Sequence, residues 1–214
     1  MLKTIFTLSF ANFIFSLFVL FTIVVKESSL LKFNTDVTML VQSKADHYLD
    51  TLFSWVSTIG RIEVSLVFLL ILLFIIKKQH RITVVLLFGM MQGIEVFCKL
   101  SIQQKGPPFQ FYRHQIEGSL LDSYIAPGYS YPSGHAMRVT VIAFIILYTV
   151  IKSEKLSFIQ KNIIVSSILP IVILLFISKI YLGEHWISDI VGGILLGLTF
   201  NLFGYTLLRR FNWN

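Results

Sequence analysis

The sequence predicts an all-α integral membrane protein with six transmembrane helices and cytoplasmic N- and C-termini. The chain of 214 residues is 55% hydrophobic and only 14% charged, whereas soluble domains carry about 25% charged residues. Apolar runs long enough to cross a bilayer recur along it. Basic residues cluster in alternate connections between these runs, which is the pattern that orients helices in a membrane.

Each predicted helix is an apolar run of about 20 residues, the length that a bilayer core requires. We expect a single domain over residues 1–214, with spans at Ile5–Val25, Trp55–Ile76, Arg81–Leu100, Ser133–Ile151, Ile163–Lys179 and Glu184–Leu208. The first run follows Lys3 and would also suit a cleaved signal peptide. It is long, however, and no small-residue cleavage site follows it, so we interpret it as a retained helix.

The distribution of charge sets the predicted orientation. With the N-terminus inside, the inner segments hold nine basic residues and one acid, Glu154. The basic residues are Lys3, Lys77, Lys78, Arg81, Lys152, Lys155, Lys161, Arg209 and Arg210. The opposite orientation would place these basic loops outside, against the positive-inside rule. The net charge of +7 is therefore explained by topology, and with no continuous basic patch we expect no nucleic-acid partner.

Two predicted outer loops are long, about Lys26–Ser54 and Ser101–Pro132, and loops of this length are often functional. Within the first, Thr38–Phe53 is loosely consistent with an interfacial amphipathic helix. The only cysteine is Cys98, which excludes an intrachain disulfide framework and a cysteine-based zinc site. We expect it to be a small buried apolar residue.

His185 and Asp189 stand four residues apart at the start of the predicted sixth helix, so both side chains would lie on one helix face. The carboxylate would hold one ring nitrogen and leave the other as a base or nucleophile. A pair that serves packing alone is the alternative. Gly193 and Gly197 continue the same stripe and favour close helix packing rather than a ligand site.

The stretch Pro132–His135, Pro-Ser-Gly-His, precedes the fourth apolar run. Ser133 is a suitable helix N-cap, and the unpaired amides of the first turn, including that of Gly134, would form an anion site. His135 would lie beside this site, where it can protonate a leaving oxygen. A simple N-cap with an interfacial histidine is the alternative.

Lys99 and Lys179 would add positive charge from two further helices, although lysines near helix ends often only extend to the interface. Glu95 lies one turn before Lys99 and would neutralise it or hold it in place. Cations, helix amides and two histidines together are typical of a phosphoryl-transfer site. The sequence offers no carboxylate cluster suited to Mg²⁺, so we expect neither a metal nor a cofactor.

Three segments resemble the motifs of the type-2 phosphatidic acid phosphatase superfamily. They are KLSIQQKGP from Lys99 to Pro107, PSGH from Pro132 to His135, and SKIYLGEHWISD from Ser178 to Asp189. The resemblance covers the chain from Lys99 to the end of the sixth helix.

The resemblance implies a role for each motif residue. His185 would form a phosphohistidine, Asp189 would orient it, and His135 would protonate the leaving group. The phosphate would be held by a further set: Lys99, Lys179, Ser133 and the Gly134 amide. Lipid tails would lie between the helices.

Two positions depart from the family pattern, because Gly106 and Lys179 stand where it has arginines. Lysine cannot reproduce the planar bidentate fork of arginine. Three residues could compensate, in the order Arg138, Lys105 and Arg113. For Arg138 the alternative is an interfacial arginine near the lipid headgroups.

These observations predict a metal-independent, multi-pass phosphatase of a bacterial plasma membrane, with its active site at the outer face, that hydrolyses phosphatidate, phosphatidylglycerophosphate or a polyprenyl pyrophosphate. The expected partners are the lipid phosphate and the bilayer. Two alternatives stay open: a lipid phosphotransferase that uses the same phosphohistidine, and a non-catalytic phospholipid-binding or transport protein. Soluble vanadium-dependent haloperoxidases share the family's site, but this chain is too hydrophobic for that class.

Overall fold

The computed structural model describes residues 2–44, 47–75, 77–113 and 128–210. Within these ranges the chain forms eight α-helices and no named β-strand. They are α1 Leu2–Lys26, α2 Leu31–Ser43, α3 Leu49–Ser57, α4 Ile62–Ile75, α5 Lys78–Ile102, α6 Gly134–Lys152, α7 Phe158–Tyr181 and α8 Ile187–Arg210. Two short 3₁₀-helices, Thr58–Gly60 and Phe109–Phe111, lie between them.

Five of the described helices, α1, α5, α6, α7 and α8, are long and apolar enough to cross a membrane. A sixth span is formed if Leu49–Gly60 and Ile62–Ile75 are taken together, and this pair is bent by 43°. The predicted all-helical, multi-span fold class is therefore confirmed.

The predicted span Trp55–Ile76 is not a single helix. The helical segment begins earlier, at Leu49, and is broken at Arg61, whose backbone is extended with a ψ of 153°. Glycine favours such a break because it has low helix propensity, and Gly60 directly precedes Arg61. The predicted end, Ile76, lies outside the described residues.

Side-chain caps explain where two other helices begin. Ser133 caps α6, since its Oγ accepts a hydrogen bond from the Ala136 amide at 3.3 Å. The α7 helix begins at Phe158, earlier than the predicted Ile163, because Ser157 and Gln160 form a capping box that satisfies two amides at the helix start.

The predicted amphipathic helix over Thr38–Phe53 is replaced by two helices, α2 and α3, and residues 45–46 between them are outside the described ranges. In α2 the buried side chains are polar: Asn34, Thr38 and Gln42. Its large apolar side chains, including Phe33 and Leu40, are exposed. The polar face of α2 is therefore directed into the protein and its apolar face outward, the reverse of a helix on a soluble domain.

Helices α6 and α8 pack with their backbones in close approach. A Cβ atom added at Gly193 would lie 2.3 Å from the Ser133 carbonyl oxygen, and one at Gly197 would lie 2.8 Å from that of Met137. Both distances are too short for a real contact, so these two positions require glycine. The packing role predicted for this glycine stripe agrees with the structure.

We expect Gly193→Ala to destabilise the protein by about 1–3 kcal/mol, because the added methyl group must push α6 and α8 apart. The matched control is Gly93→Ala in α5, where an added Cβ meets no atom within 4 Å. That change should be neutral or stabilise by up to about 1 kcal/mol through helix propensity. Thermal unfolding in detergent measures both, and equal melting temperatures would contradict the prediction.

Candidate active site

The end of α5, the start of α6 and the turn between α7 and α8 meet at one place. The Ser133 amide donates to the Asp189 carbonyl oxygen at 3.0 Å. From the segment after α5, the Lys105 carbonyl oxygen accepts a hydrogen bond from the Trp186 indole at 2.9 Å. Backbone groups thus hold the three motif segments together independently of any ligand.

The His185 and Asp189 side chains are paired across the start of α8. Nδ1 of His185 lies 3.4 Å from Oδ2 of Asp189, and the Asp189 side chain is fully buried. The predicted helix start at Glu184 is wrong, because α8 begins at Ile187. His185 therefore lies in the turn before the helix, where the Asp189 carboxylate also accepts from the Trp186 amide at 2.8 Å.

A second residue, Gln104, fixes the Asp189 carboxylate. Its Nε2 donates to Oδ1 of Asp189 at 2.8 Å and lies 3.2 Å from the Ser188 hydroxyl. From α2, Asn34 reaches the same hydroxyl at 2.9 Å. Neither Gln104 nor Asn34 is predicted from the sequence. The regular spacing of polar residues in α2 was the only available signal for Asn34.

The His135 ring is buried, with 3% exposure. Neither of its ring nitrogens has a hydrogen-bond partner among the described residues. The ring packs directly on Gly60, where an added Cβ would lie 2.3 Å from it. The charged side chains of Lys179 and Arg138 are within electrostatic range of this ring. A buried, unpartnered imidazole beside several cations is unusual, since buried polar groups are normally hydrogen-bonded.

The N-terminus of α6 lies against a buried carboxylate. Glu95 packs on Gly134, where an added Cβ would lie 2.0 Å from the carboxylate oxygen Oε1. The same carboxylate is 2.8 Å from Nζ of Lys99 and 3.2 Å from Nη1 of Arg138. Glu95 therefore holds two of the predicted cations beside the start of the helix.

Of the three residues predicted to compensate for the missing arginines, two have side chains that contact other protein groups. Arg138 donates to the Gly60 carbonyl oxygen at 3.0 Å and to Glu95. Arg113 lies over the Tyr181 ring at 5.1 Å and donates to its hydroxyl. The Lys105 residue is exposed. Of the three, Arg138 is the one within electrostatic range of His135.

We expect Arg138→Gln to destabilise the protein by about 3 kcal/mol or more, because it removes one partner of a buried ion pair and leaves Glu95 with less compensation. The control is Lys155→Gln, which also removes one positive charge but at an exposed position in the α6–α7 connection. Chemical unfolding in detergent should separate the two variants. Similar free energies of unfolding for the two variants would show that the Arg138–Glu95 ion pair does not stabilise this site.

The fold and the site together define a multi-pass helical membrane protein in which a His–Asp pair lies beside a serine-capped helix N-terminus. The family model of the PAP2 superfamily matches residues 81–213. The chain belongs to the PAP2 superfamily.

Two curated relatives and one solved structure are similar to this chain. Phosphatidylglycerophosphatase B of Bacillus subtilis is 29% identical over 57% of the chain, and the match spans 55% of that relative's length. Undecaprenyl-diphosphatase of Sulfolobus acidocaldarius is 29% identical over 77% of the chain and 73% of its own length. The crystal structure of a transmembrane PAP2-type phosphatidylglycerolphosphate phosphatase from Bacillus subtilis has a TM-score of 0.76 at 19% identity. The structural match covers 94% of this chain and 97% of the chain in that crystal structure.

Proposed function

We propose that this protein hydrolyses the phosphate of a membrane lipid through a phosphohistidine intermediate. The observation that carries the proposal is the pairing of His185 with the buried Asp189 beside a second, unpartnered histidine at the α6 N-terminus. Both curated relatives are named for the removal of phosphate from lipids. We propose that this protein catalyses the same class of reaction. It would do so as a single domain in a bacterial plasma membrane, with its active site open to the outer face of that membrane.

In the proposed reaction, Nε2 of His185 attacks the phosphorus atom and the bond to the leaving oxygen breaks. Asp189, itself fixed by Gln104 and the Trp186 amide, holds Nδ1 and stabilises the positive charge that develops on the ring. His135 donates its proton to the leaving oxygen. Water then attacks the phosphohistidine, a proton of the water passes to His135, and inorganic phosphate and free His185 are released.

The phosphate would be bound by the unpaired amides of the first turn of α6, with Lys99 and Lys179 supplying charge. Helix N-termini favour anions in this way. The amide of Ala136 already donates to the Ser133 hydroxyl, which leaves the amides of Gly134 and His135 as the nearest donors. Preorganised donors of this kind stabilise the charge of a phosphoryl-transfer transition state.

A cavity of about 800 Å³ is suited to the lipid tail. Arg138 lines it at one end, and Lys77 and Lys152 line it at the other. Its walls are largely apolar side chains of α4, α5 and α6, including Phe68, Leu87 and Ile145. From Arg138 to Lys152 the α6 axis rises about 21 Å, a length that would accommodate most of an acyl chain.

The proposal is tested by phosphate release from detergent-purified protein in excess EDTA. Phosphatidate, phosphatidylglycerophosphate and undecaprenyl pyrophosphate are the three substrates to supply. Phosphate release from at least one of them supports the proposal, including its metal independence. The proposal would be contradicted if none of the three lipids released phosphate, either in EDTA or with added Mg²⁺.

A phosphotransferase is the second candidate, because Gly106 and Lys179 alter the cationic part of the predicted site. In that reaction a lipid or sugar hydroxyl replaces water as the acceptor. Radiolabelled substrate phosphate would then be recovered in an organic acceptor rather than as inorganic phosphate. A binding or transport protein without turnover would yield neither product.

A further inference from the structure

The side chains of Lys179 and Glu184 form an ion pair at the junction of α7 and α8. Both are largely buried, with exposed side-chain fractions of 7% and 18%. His185, the proposed nucleophile, directly follows Glu184. The cation that replaces the family's arginine thus already has an anionic partner from the same chain.

Backbone geometry forces these two side chains together. The Gly183 amide donates to the Ile180 carbonyl oxygen at 3.1 Å, and the Glu184 amide donates to that of Lys179 at 3.0 Å. This pair of bonds is the Schellman motif, and Gly183 supplies its left-handed residue with a φ of +70°. The residue at the position of Glu184 usually makes an apolar contact with the last helical turn. Here an ion pair takes the place of that contact.

Both departures from the family pattern border this carboxylate residue. Lys179 is its ion-pair partner, and a Cβ at Gly106 would lie 3.8 Å from the Glu184 carbonyl oxygen. In the segment after α5, burial and the negative charge of Glu184 together raise the pKa of the Tyr112 phenol. Glu184 therefore lies beside both positions at which this chain departs from the family pattern.

A carboxylate and a phosphate would compete for the same ammonium group. Lysine is a compact point charge and lacks the several donors in a fixed fork with which arginine can hold two anions. A phosphate that binds Lys179 must therefore displace Glu184 or bind beside an uncompensated negative charge. In either case the carboxylate weakens phosphate binding, and it can return to Lys179 as phosphate leaves.

We propose that Glu184 is a built-in competitor for Lys179 that weakens the binding of inorganic phosphate and so promotes release of the product. This proposal rests on the proposed function, since phosphate is a product only if the site hydrolyses phosphate esters. It makes Glu184 a residue that sets affinity, whereas a residue that merely supports the turn would have the opposite effect when replaced.

The test is the affinity of the full-length protein in detergent for inorganic phosphate, measured by isothermal titration calorimetry. Hydrogen bonds to charged groups contribute enough that Glu184→Gln is expected to tighten phosphate binding by about tenfold or more. In a Lys179→Gln background the same change should have little effect, because the group under competition is gone. Asp36→Asn is the matched control. It removes one negative charge from an exposed position of α2 and should leave the affinity unchanged.

Weaker or unchanged phosphate binding in Glu184→Gln would overturn the proposal, as would an equal gain in Asp36→Asn or in the Lys179→Gln background. Glu184→Ala serves as a second variant, and its melting temperature shows whether the turn has been lost. Phosphate binding requires no turnover. Failure of all lipids as substrates would therefore reject the proposed function, while the comparison of affinities would still decide the role of Glu184.

Discussion

His185→Ala is expected to lower the rate of phosphate release from lipid phosphates by at least about 10⁴-fold, because the proposed reaction has no other route to a covalent intermediate. Asp189 is fully buried and donors from Gln104 and the Trp186 amide hold its carboxylate. The partner of the nucleophile thus stays in place when the ring is removed. The fold should consequently tolerate the substitution.

The measurement is single-turnover hydrolysis of whichever of the three lipids releases phosphate, labelled with ³²P and quenched rapidly under alkaline conditions that preserve phosphohistidine. Wild-type protein should carry acid-labile label and His185→Ala should carry none. His47→Ala is the control, since the His47 side chain is 79% exposed and its ion-pair partner is Asp50. Undiminished release in His185→Ala would exclude the phosphohistidine mechanism.

For His135→Gln the expected loss depends on the leaving group. With phosphatidate, whose leaving group is an alkoxide, we expect a decrease of about 10²–10⁴-fold, the usual contribution of a general acid. With an alkyl-substituted nitrophenyl phosphate we expect less than about a tenfold decrease, because a nitrophenolate leaves without being protonated. The buried ring with two unpartnered nitrogens is consistent with a proton donor whose acceptor is the substrate.

The ratio of the two losses is the informative quantity, measured as kcat/KM for both substrates in wild-type and variant protein. Damage to the fold would lower both rates equally, and so would loss of phosphate binding. Equal losses would therefore contradict leaving-group protonation by His135. His47→Gln provides a control for the loss of an imidazole, because the His47 side chain is 79% exposed and its ion-pair partner is Asp50.

The sequence was sufficient to predict most spans, because long apolar runs and local caps are properties of contiguous residues. Ser133 was recognised as an N-cap for this reason. The break at Arg61 is not evident from the sequence, because apolar residues such as Trp55, Ile59 and Val64 occur on both sides of it. What determines that break is long-range, since the Gly60 carbonyl accepts from Arg138 and Gly60 carries the His135 ring.

The candidate site shows the same division. The motif residues His135, His185 and Asp189 have recognisable spacing, and they were named from the sequence. Gln104 and Asn34 carry no such spacing, and their contacts with Asp189 and Ser188 join segments that are far apart in the chain. The ion pair between Lys179 and Glu184 also cannot be predicted from the sequence, because it depends on the Schellman turn that brings the two side chains together.

The reversed polarity of α2 has a consequence for how the protein is made. Asn34 bonds to Ser188 across a separation of 154 residues, and Gln42 bonds to the Tyr181 carbonyl across 139. These partners are synthesised long after α2. Until then the polar side chains of α2 form hydrogen bonds with water, while its apolar face is buried in lipid. We therefore expect α2 to lie at the membrane surface while the rest of the chain is translated. Docking of α2 onto the α7–α8 turn then becomes a late step of biogenesis, and the support of Ser188 beside Asp189 is completed only after α8 has entered the bilayer.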